Sequence, residues 1–241
     1  MKSESNIFSP LRLNINKVER VTCRNEIIAD KCKGKNVLHI GCTDWPITHH
    51  RIKENTLLHK KIADAAHSCI GIDISEEGLS ALKKKGFDVR HGDAEKLDKN
   101  FAEATFDVVV IGEVLEHLNN PGLCLKKVFQ VLKSTGEIVV TVPNAFYILN
   151  FFSLLFRREI THRDHAFYFS AKTLNCLLGR YDFDISYLGY TFPMPKTVLR
   201  KIRIFPLYLL FTAVPFFGLS IVMIAQKKTV NKNTNKIVIL R

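Results

Sequence analysis

Short apolar, mostly β-branched runs alternate with helix-like segments between residues 36 and 143. The runs that favour strands are Asn36–Ile40, Cys69–Ile74, Phe87–His91, Phe106–Ile111 and Glu137–Val142. The segments that favour helices lie at about 47–66, 76–85, 113–118 and 121–132. Near-continuous apolar strands separated by helices are typical of a parallel sheet covered on both faces. Because strand–helix–strand crossovers are right-handed in nearly all known cases, the pattern predicts a doubly wound α/β sheet.

The flanking segments extend this domain at both ends. Lys17–Lys33 predicts a helix that could lie over a ligand cleft, while Asp182–Thr191 and Leu219–Gln226 favour two more strands. We therefore expect an N-terminal helical lid at 1–34, one α/β domain at 35–226 and a basic tail at 227–241. The domain would carry apolar insertions at about 145–158 and 193–217.

Polar residues follow the predicted strands in order. In an open parallel sheet, ligands bind beyond the carboxyl ends of the strands. Gly41 follows the first strand and permits a sharp turn close to a ligand. Asp73 ends the second, where a carboxylate can accept hydrogen bonds from both hydroxyls of a ribose. Asp93 follows the third and could accept from an adenine amino group. This series predicts a nucleoside site at the sheet edge.

The fourth strand is followed by Glu113, Glu116 and His117. On a helix, Glu113 and His117 would share a face and could pair, because they are four residues apart. Glu116 would be a solvated helix residue. These positions also lie beside the expected nucleoside site.

The segments VLHIGCTDWP, GIDIS, HGDAEKL, FDVVVIGEVLEHLNNP and LKSTGEIVVTVPN together resemble the class I S-adenosylmethionine methyltransferases, particularly the ubiquinone/menaquinone-type methyltransferase 11/23 group. The resemblance covers roughly residues 20–190. It implies S-adenosyl-L-methionine as cofactor and a Rossmann-like sheet of seven strands whose last strand is antiparallel, which suits Leu219–Gln226. The cofactor-binding residues that it implies are His39, Gly41, Cys42, Thr43, Asp73, Ile74, Asp93, Ala94 and Glu113.

By this resemblance, His39–Thr43 would approach the methionine part of the cofactor, Asp73 the ribose and Asp93 the adenine edge. The chain departs from the family pattern in its first loop. An acid usually stands at the position of His39, and glycines usually stand at those of Thr43 and Trp45. A threonine would crowd the loop, and His39 cannot replace the acidic partner of the methionine amino group.

Methyl transfer from a sulfonium is an in-line substitution that proximity and orientation can drive without a dedicated catalytic residue. A general base helps only where the nucleophile must lose a proton. The candidate bases are His117, His162 and His165, because histidine titrates near neutral pH. Alternatively, His162 and His165 organise their loop through hydrogen bonds. No metal site is expected, since the spacings of the remaining clustered histidines match no common site: His49, His50, His59 and His67.

The net charge of +12 is uneven: nine Lys/Arg and no Asp/Glu follow from Lys196 onward, leaving about +3 for the rest. Ile204–Ala225 holds 22 uncharged residues, about 33 Å as one helix and long enough to cross a bilayer. Pro206, Pro215 and Gly218 interrupt it, and the sheet needs its end as a strand. Together with the apolar segment Phe146–Phe156, this stretch favours contact with an anionic membrane surface or with an apolar substrate. Alternatively, the two segments form ordinary core or a dimer interface.

The predicted function is a methyltransferase acting on a small-molecule or lipid-linked acceptor, with oxygen as the favoured target. The first residues lack an apolar signal region and the six cysteines lack paired spacing, so the expected location is cytoplasmic, peripheral on the inner face of a membrane. One rival is an NAD-dependent oxidoreductase, weakened because no GxGxxG follows the first strand. Another is a non-catalytic, membrane-associated interaction protein. The local charge disfavours nucleic acid, and the oligomeric state stays open.

Overall fold

A computed structural model describes residues 18–99, 101–192 and 197–228. Most of the predicted basic tail and the first half of the predicted lid lie outside these ranges. The described chain forms one eight-stranded sheet in the order β1-β7-β8-β6-β5-β2-β3-β4. All neighbours are parallel except that β8 runs antiparallel to β6 and β7, which confirms the predicted antiparallel last strand. The strands are β1 (Val18–Val21), β2 (Asn36–Ile40), β3 (Ser68–Asp73), β4 (Val89–His91), β5 (Phe106–Gly112), β6 (Leu132–Pro143), β7 (Phe183–Thr191) and β8 (Ser220–Lys227).

Helices cover both faces of the sheet, as the apolar strand pattern predicts. On β5, Val109 and Ile111 belong to the core shared with α5 and α7, while Val108 and Val110 pack with α1 and α3. Successive residues of a strand point to opposite faces, so both faces of β5 are buried. The helices are α1 (Arg24–Cys32), α2 (Thr48–Lys53), α3 (Leu58–Ala65), α4 (Glu76–Lys83), α5 (Pro121–Val131), α6 (Ile148–Leu155), α7 (Ala171–Arg180) and α8 (Val198–Ala213).

The first described residues of the predicted lid form a strand. We expected a helix over Lys17–Lys33, but Val18–Val21 pairs in parallel with β7 and the helix begins at Arg24. Val18 and Val21 are buried while the two residues between them are exposed, which suits an edge strand rather than a helix. This extra strand raises the sheet from the expected seven strands to eight.

The single helix expected at about 47–66 is divided in two. Asn55 adopts a left-handed backbone with φ of 55° and ends α2. The amide of Thr56 donates to the Arg51 carbonyl and that of Asn55 to the Ile52 carbonyl, the pairing of a Schellman motif. The chain can then turn into α3. The strand expected at Phe87–His91 is also shorter, since pairing begins at Val89.

The two apolar insertions arise at the same edge of the sheet. One contains α6, after β6, and the other contains α8, between β7 and β8. The buried Asn144 side chain joins their bases, because its amide nitrogen donates to the carbonyls of Phe216 and Gly218, each at 2.7 Å. Within the described ranges, no helix is both long enough and apolar enough to cross a bilayer.

Two histidines are buried between the sheet and its helical cover. His39 of β2 and His59 of α3 stack with ring centroids 5.3 Å apart, and their Nδ1 atoms are 3.1 Å apart. One Nδ1 therefore carries a proton that the other accepts. Burial lowers the pKa of both imidazoles, that of His59 to about 4. Both rings are consequently neutral in the folded protein at pH 7.

The fold should lose stability as the pH falls from about 6.5 to about 4, because the unfolded chain takes up protons that the buried imidazoles exclude. For His59 alone, the difference between its folded and unfolded pKa corresponds to about 3 kcal/mol. In His59→Leu, the free energy of unfolding should therefore fall less steeply with decreasing pH. Urea unfolding at several pH values between 4 and 7 measures this slope.

His67→Leu is the matched control, because His67 is exposed on the chain just after α3. It should keep the slope of the parent protein. An equal slope in the parent and in His59→Leu would show that His59 contributes nothing to the acid sensitivity.

Candidate cofactor and acceptor site

The strand ends bring the two predicted nucleoside-binding carboxylates together. Asp73 pairs with His91 in the register of β3 and β4, and the Gly92 amide donates to the Asp73 carbonyl at 3.0 Å. Asp93 follows directly. Both side chains are half-buried, so each keeps a path to a ligand at the sheet edge.

Gly41 makes the turn that leads away from β2. Its φ of 76° is left-handed, and a Cβ there would lie 2.3 Å from Cγ2 of Val114. The amides of Gly41 and Cys42 both donate to the Ile72 carbonyl, at 2.9 and 3.2 Å. The loop is thus tied to β3, and only glycine fits at position 41.

Thr43 does not crowd the loop in the way we expected. Its side chain is buried, and its hydroxyl and its amide both donate to Oδ2 of Asp73, at 2.8 and 3.0 Å. Room for it comes from Gly78 at the start of α4, where a Cβ would lie 2.6 Å from Cβ of Thr43. The threonine therefore points toward α4 and away from the site.

Asp73 keeps limited capacity for a ligand. Its Oδ2 accepts twice from Thr43, and its Oδ1 accepts from the amide of Ser75 at 3.0 Å. Because each carboxylate oxygen can accept two hydrogen bonds, one direction remains at Oδ1. Beside it, Ile74 is 71% exposed and presents an apolar surface at the sheet edge.

Asp93 is held as an ionised group. Its Oδ1 accepts from the Glu95 amide at 2.9 Å, and Nζ of Lys96 lies 2.9 Å from its Oδ2. The hydrogen bond with Lys96, followed by that from the Glu95 amide, lowers the pKa of Asp93. Ala94, which follows Asp93, is buried in the hydrophobic core.

Two residues expected near the methionine part have buried side chains. The His39 ring lies against His59, as described above, and Cys42 packs among apolar residues between β2 and α4. Burial raises the pKa of the Cys42 thiol. Neither side chain reaches the edge of the sheet, so a contact with a ligand there would have to come from the backbone.

An ion pair joins the start of α1 to the residue that follows β5. Nη1 of Arg24, the first residue of α1, lies 2.9 Å from Oε1 of Glu113, and both side chains are partly exposed. Arg24 also lies 3.5 Å from Oγ1 of Thr141 at the end of β6. Arg24 was not among the predicted site residues, although it lies in the segment predicted to cover a ligand cleft.

The prediction that Glu116 is a solvated helix residue is wrong. Residues 115–117 form a 3-10 turn, and the Glu116 side chain is 1% exposed. Neither carboxylate oxygen has a hydrogen-bond partner within the described ranges. Burial, and then the charge of Glu113, raises the pKa of Glu116 to about 8. The carboxyl group is therefore largely protonated at neutral pH.

The three candidate bases form one cluster. The rings of His117 and His165 are 4.6 Å apart, and that of His162 lies 5.6 and 5.2 Å from them. Burial, followed by the charges of the other two histidines, lowers the pKa of His165. His117 thus contacts the loop that carries His162 and His165, whereas Glu113 contacts Arg24. The possible pairing of Glu113 with His117 is therefore not formed.

Two surface hollows are not lined by these carboxylates. One of about 550 Å³ is lined by residues of α2 and Glu54, and another of about 450 Å³ lies between His49 and α4. Asp73, Asp93 and Glu113 line neither.

Comparison with known proteins identifies methyltransferases with similar sequences. A family model described as a methyltransferase domain matches residues 55–140. A probable S-adenosylmethionine-dependent methyltransferase of Mycolicibacterium smegmatis is 30% identical over 127 residues, which cover 50% of this chain and 44% of the relative. A ubiquinone biosynthesis O-methyltransferase of Aromatoleum aromaticum is 27% identical over 128 residues, covering 51% and 50%. The chain spans about half the length of the curated relatives it matches.

A solved structure shares the fold over most of the chain. The SAM-dependent methyltransferase from Archaeoglobus fulgidus superimposes with a TM-score of 0.56 at 20% identity, covering 84% of this chain and 94% of that one. This confirms the predicted Rossmann-like, mostly parallel sheet. Residues 55–140 thus match a methyltransferase domain, and over about half of its length the chain is similar to S-adenosylmethionine-dependent methyltransferases, a ubiquinone biosynthesis O-methyltransferase among them.

Proposed function

We propose that this protein binds S-adenosyl-L-methionine over the carboxyl ends of β2 to β5 and transfers its methyl group to a small-molecule acceptor. The observation that carries this proposal is the placement of Asp73 and Asp93 at neighbouring strand ends, with the exposed Ile74 next to Asp73. Carboxylates accept hydrogen bonds from ribose hydroxyls and from an adenine amino group. An exposed aliphatic side chain beside them suits the face of the base.

The remaining groups suit the amino-acid end of the cofactor. That end carries a carboxylate and an ammonium group, and Arg24 and Glu113 offer the opposite charges 2.9 Å apart. We assign Arg24 to the carboxylate and Glu113 to the ammonium group. Binding would exchange their mutual ion pair for two charge-assisted contacts. Glu113 would then take the place of the acidic residue that usually stands at the position of His39.

The bound cofactor would supply an activated methyl group, which passes in line to the acceptor nucleophile as the bond from methyl carbon to sulfur breaks and S-adenosylhomocysteine leaves. The chain's contribution is mainly to hold the two reactants in register, which can supply about 7–11 kcal/mol of such a barrier. Where the acceptor is a hydroxyl, its proton must leave. A neutral imidazole of His117, His162 or His165 would accept it, and a general base of this kind contributes about 10²–10⁴-fold.

We further propose that the acceptor is lipid-like and is methylated on oxygen. Apolar side chains of α6 and its flanks are exposed at the edge that carries the site, among them Phe146, Phe151 and Leu155. An apolar acceptor would cover this surface. The similarity to ubiquinone biosynthesis O-methyltransferases supports the choice of oxygen.

The two apolar insertions also suit attachment to an anionic membrane. On α8, Leu199, Ile202, Phe205 and Leu209 are all exposed and follow helical spacing along one face. Basic residues accompany both insertions: Arg157 and Arg158 follow α6, and three more lie within α8. Lys196, and the side chains of Arg200, Lys201 and Arg203, lie outside what the structure describes. Apolar contact and basic charge together favour an interfacial position.

Cofactor binding tests the enzyme assignment directly. In calorimetric titration, S-adenosylmethionine and S-adenosylhomocysteine should bind at one site and NAD should not. Asp73→Asn and Asp93→Asn should each weaken S-adenosylhomocysteine binding by about 10- to 100-fold, because each removes a charged hydrogen-bond acceptor worth about 1.5–3 kcal/mol.

Asp64→Asn is the matched control, since Asp64 is an exposed carboxylate on α3 that pairs with Lys60. It should bind as the parent does, and thermal unfolding of each variant checks that the fold persists. Binding of NAD alone would assign an oxidoreductase instead. If none of the three ligands binds, the protein is a non-catalytic member of the fold.

Vesicle sedimentation tests the membrane proposal. The protein should sediment with vesicles that contain phosphatidylserine, and much less with phosphatidylcholine alone, because basic residues near an anionic surface each contribute about 1 kcal/mol. Leu199→Ser with Phe205→Ser should reduce sedimentation at least fivefold, since both side chains would leave the bilayer interface.

Ile47→Ser controls for the loss of an exposed apolar side chain elsewhere, because Ile47 is nearly half exposed beside α2. It should sediment as the parent does. If the parent protein stays in solution with both kinds of vesicle, membrane attachment is contradicted. The exposed apolar side chains would then be explained by contact with an apolar substrate.

A further inference from the structure

We propose that His117, His162 and His165 form a binding site for one divalent transition-metal ion of the zinc class. Each imidazole offers one nitrogen, and these three atoms all lie within 4.8 Å of one another. Zinc binds imidazole nitrogen at about 2.0–2.1 Å, so three ligands around one ion stand roughly 3.4 Å apart. Small rotations of the rings would bring the nitrogens to that spacing.

The contact made by the His117 ring leaves its Nε2 atom available to bind an ion. Its Nδ1 lies 3.1 Å from the backbone carbonyl of Asp164. A carbonyl only accepts, so Nδ1 of the neutral ring carries the proton and Nε2 keeps its lone pair. Histidine ligands in metal sites usually donate their second ring N–H to a carbonyl or carboxylate, which fixes the orientation of the ring.

The other two rings have polar neighbours of different kinds. Nδ1 of His162 accepts from the Asp164 amide at 3.3 Å and lies 3.8 Å from Oδ2 of Asp164, and Nδ1 of His165 lies 3.5 Å from Oγ1 of Thr161. If Nε2 of His162 binds the ion, its proton moves to Nδ1, where the Asp164 carboxylate is the acceptor. Asp164 is thus close to two of the three histidines and adds a negative charge beside them. The nearby Arg163 guanidinium lies 3.6 Å from the same carboxylate and is largely exposed.

The backbone holds the two halves of the cluster together. His117 stands on the 3-10 turn after β5, whereas His162 and His165 lie on the loop before α7. The Glu116 carbonyl accepts from the amides of Ala166 and Phe167, at 2.8 and 3.3 Å. The loop therefore stays next to His117 through main-chain bonds that do not depend on the side chains of the cluster.

The donor set selects the class of ion. Imidazole nitrogens suit zinc, cobalt, nickel and copper, whereas magnesium and calcium favour oxygen. His117 and His162 are exposed and His165 is half-buried, so an ion can enter from solvent. Three protein ligands leave a fourth position open to water or to an oxygen of a bound molecule.

This site goes beyond the proposed function. The lone pairs that would bind the ion are those that would accept a proton from an acceptor, so one imidazole cannot do both at once. Metal binding can be measured without any cofactor or acceptor. Its failure would leave the methyltransferase proposal standing, and failure of cofactor binding would leave this one standing.

The test is a titration of the full chain, freed of any histidine tag, with Zn²⁺ by calorimetry and with Co²⁺ by visible absorption. We expect one Zn²⁺ per chain with a dissociation constant in the micromolar range or below, and Co²⁺ bands of a four- or five-coordinate ion. Zn²⁺ should also raise the melting temperature. His162→Ala and His165→Ala should each weaken Zn²⁺ binding at least tenfold.

The double variant His49→Ala with His50→Ala is the matched control, because it removes two adjacent histidines from α2, far from the cluster in sequence. It should bind Zn²⁺ as the parent does. The proposal fails if the parent shows no saturable binding, if the His49 and His50 variant loses it, or if His162→Ala and His165→Ala bind unchanged.

Discussion

The two hydrogen bonds from Thr43 to one oxygen of Asp73 hold the loop after β2 against the end of β3. This contact ties together two of the strand ends that carry the site. It occupies Oδ2 of Asp73 and leaves acceptor capacity at Oδ1, while the turn at Gly41, just before Thr43, passes close to Val114. Gly78 supplies the space, because any larger residue there would strike Thr43. A loop that departs from the family pattern is thus kept compatible with a ligand at the strand ends.

Charge extends the site from the loop toward the histidine cluster. Arg24 reaches Glu113 from α1, and the buried Glu116 stands next along the chain. Keeping Glu116 protonated avoids two neighbouring negative charges in a dry environment, where unpaired charge is costly. The carbonyl of Glu116 in turn anchors the loop that carries His162 and His165. One 3-10 turn therefore links the proposed methionine end to the proposed acceptor side.

The central sheet could be predicted because strands such as β2 and β5 are buried on both faces and are almost wholly apolar. The edge strand β1 could not, since only Val18 and Val21 are buried and its partner β7 lies far along the chain. The strand-end positions of Asp73 and Asp93 followed from the alternation of strands and helices. The accommodation of Thr43 did not, because it depends on a glycine in the next helix. His117, His162 and His165 could be named as candidate bases, but their contact with one another, the burial of Glu116 and the ion pair of Arg24 depend on tertiary contacts that have no local sequence signal.

We propose that an adenosyl group lies beside Ile74 and contacts both Asp73 and Asp93. A crystal structure of the protein with S-adenosylhomocysteine is the decisive test. We expect a ribose hydroxyl on Oδ1 of Asp73, the adenine amino group beside Asp93 and the amino-acid end between Arg24 and Glu113. A ligand bound in the hollow beside α2, or at any position that leaves Asp73 and Asp93 without contact, would contradict it.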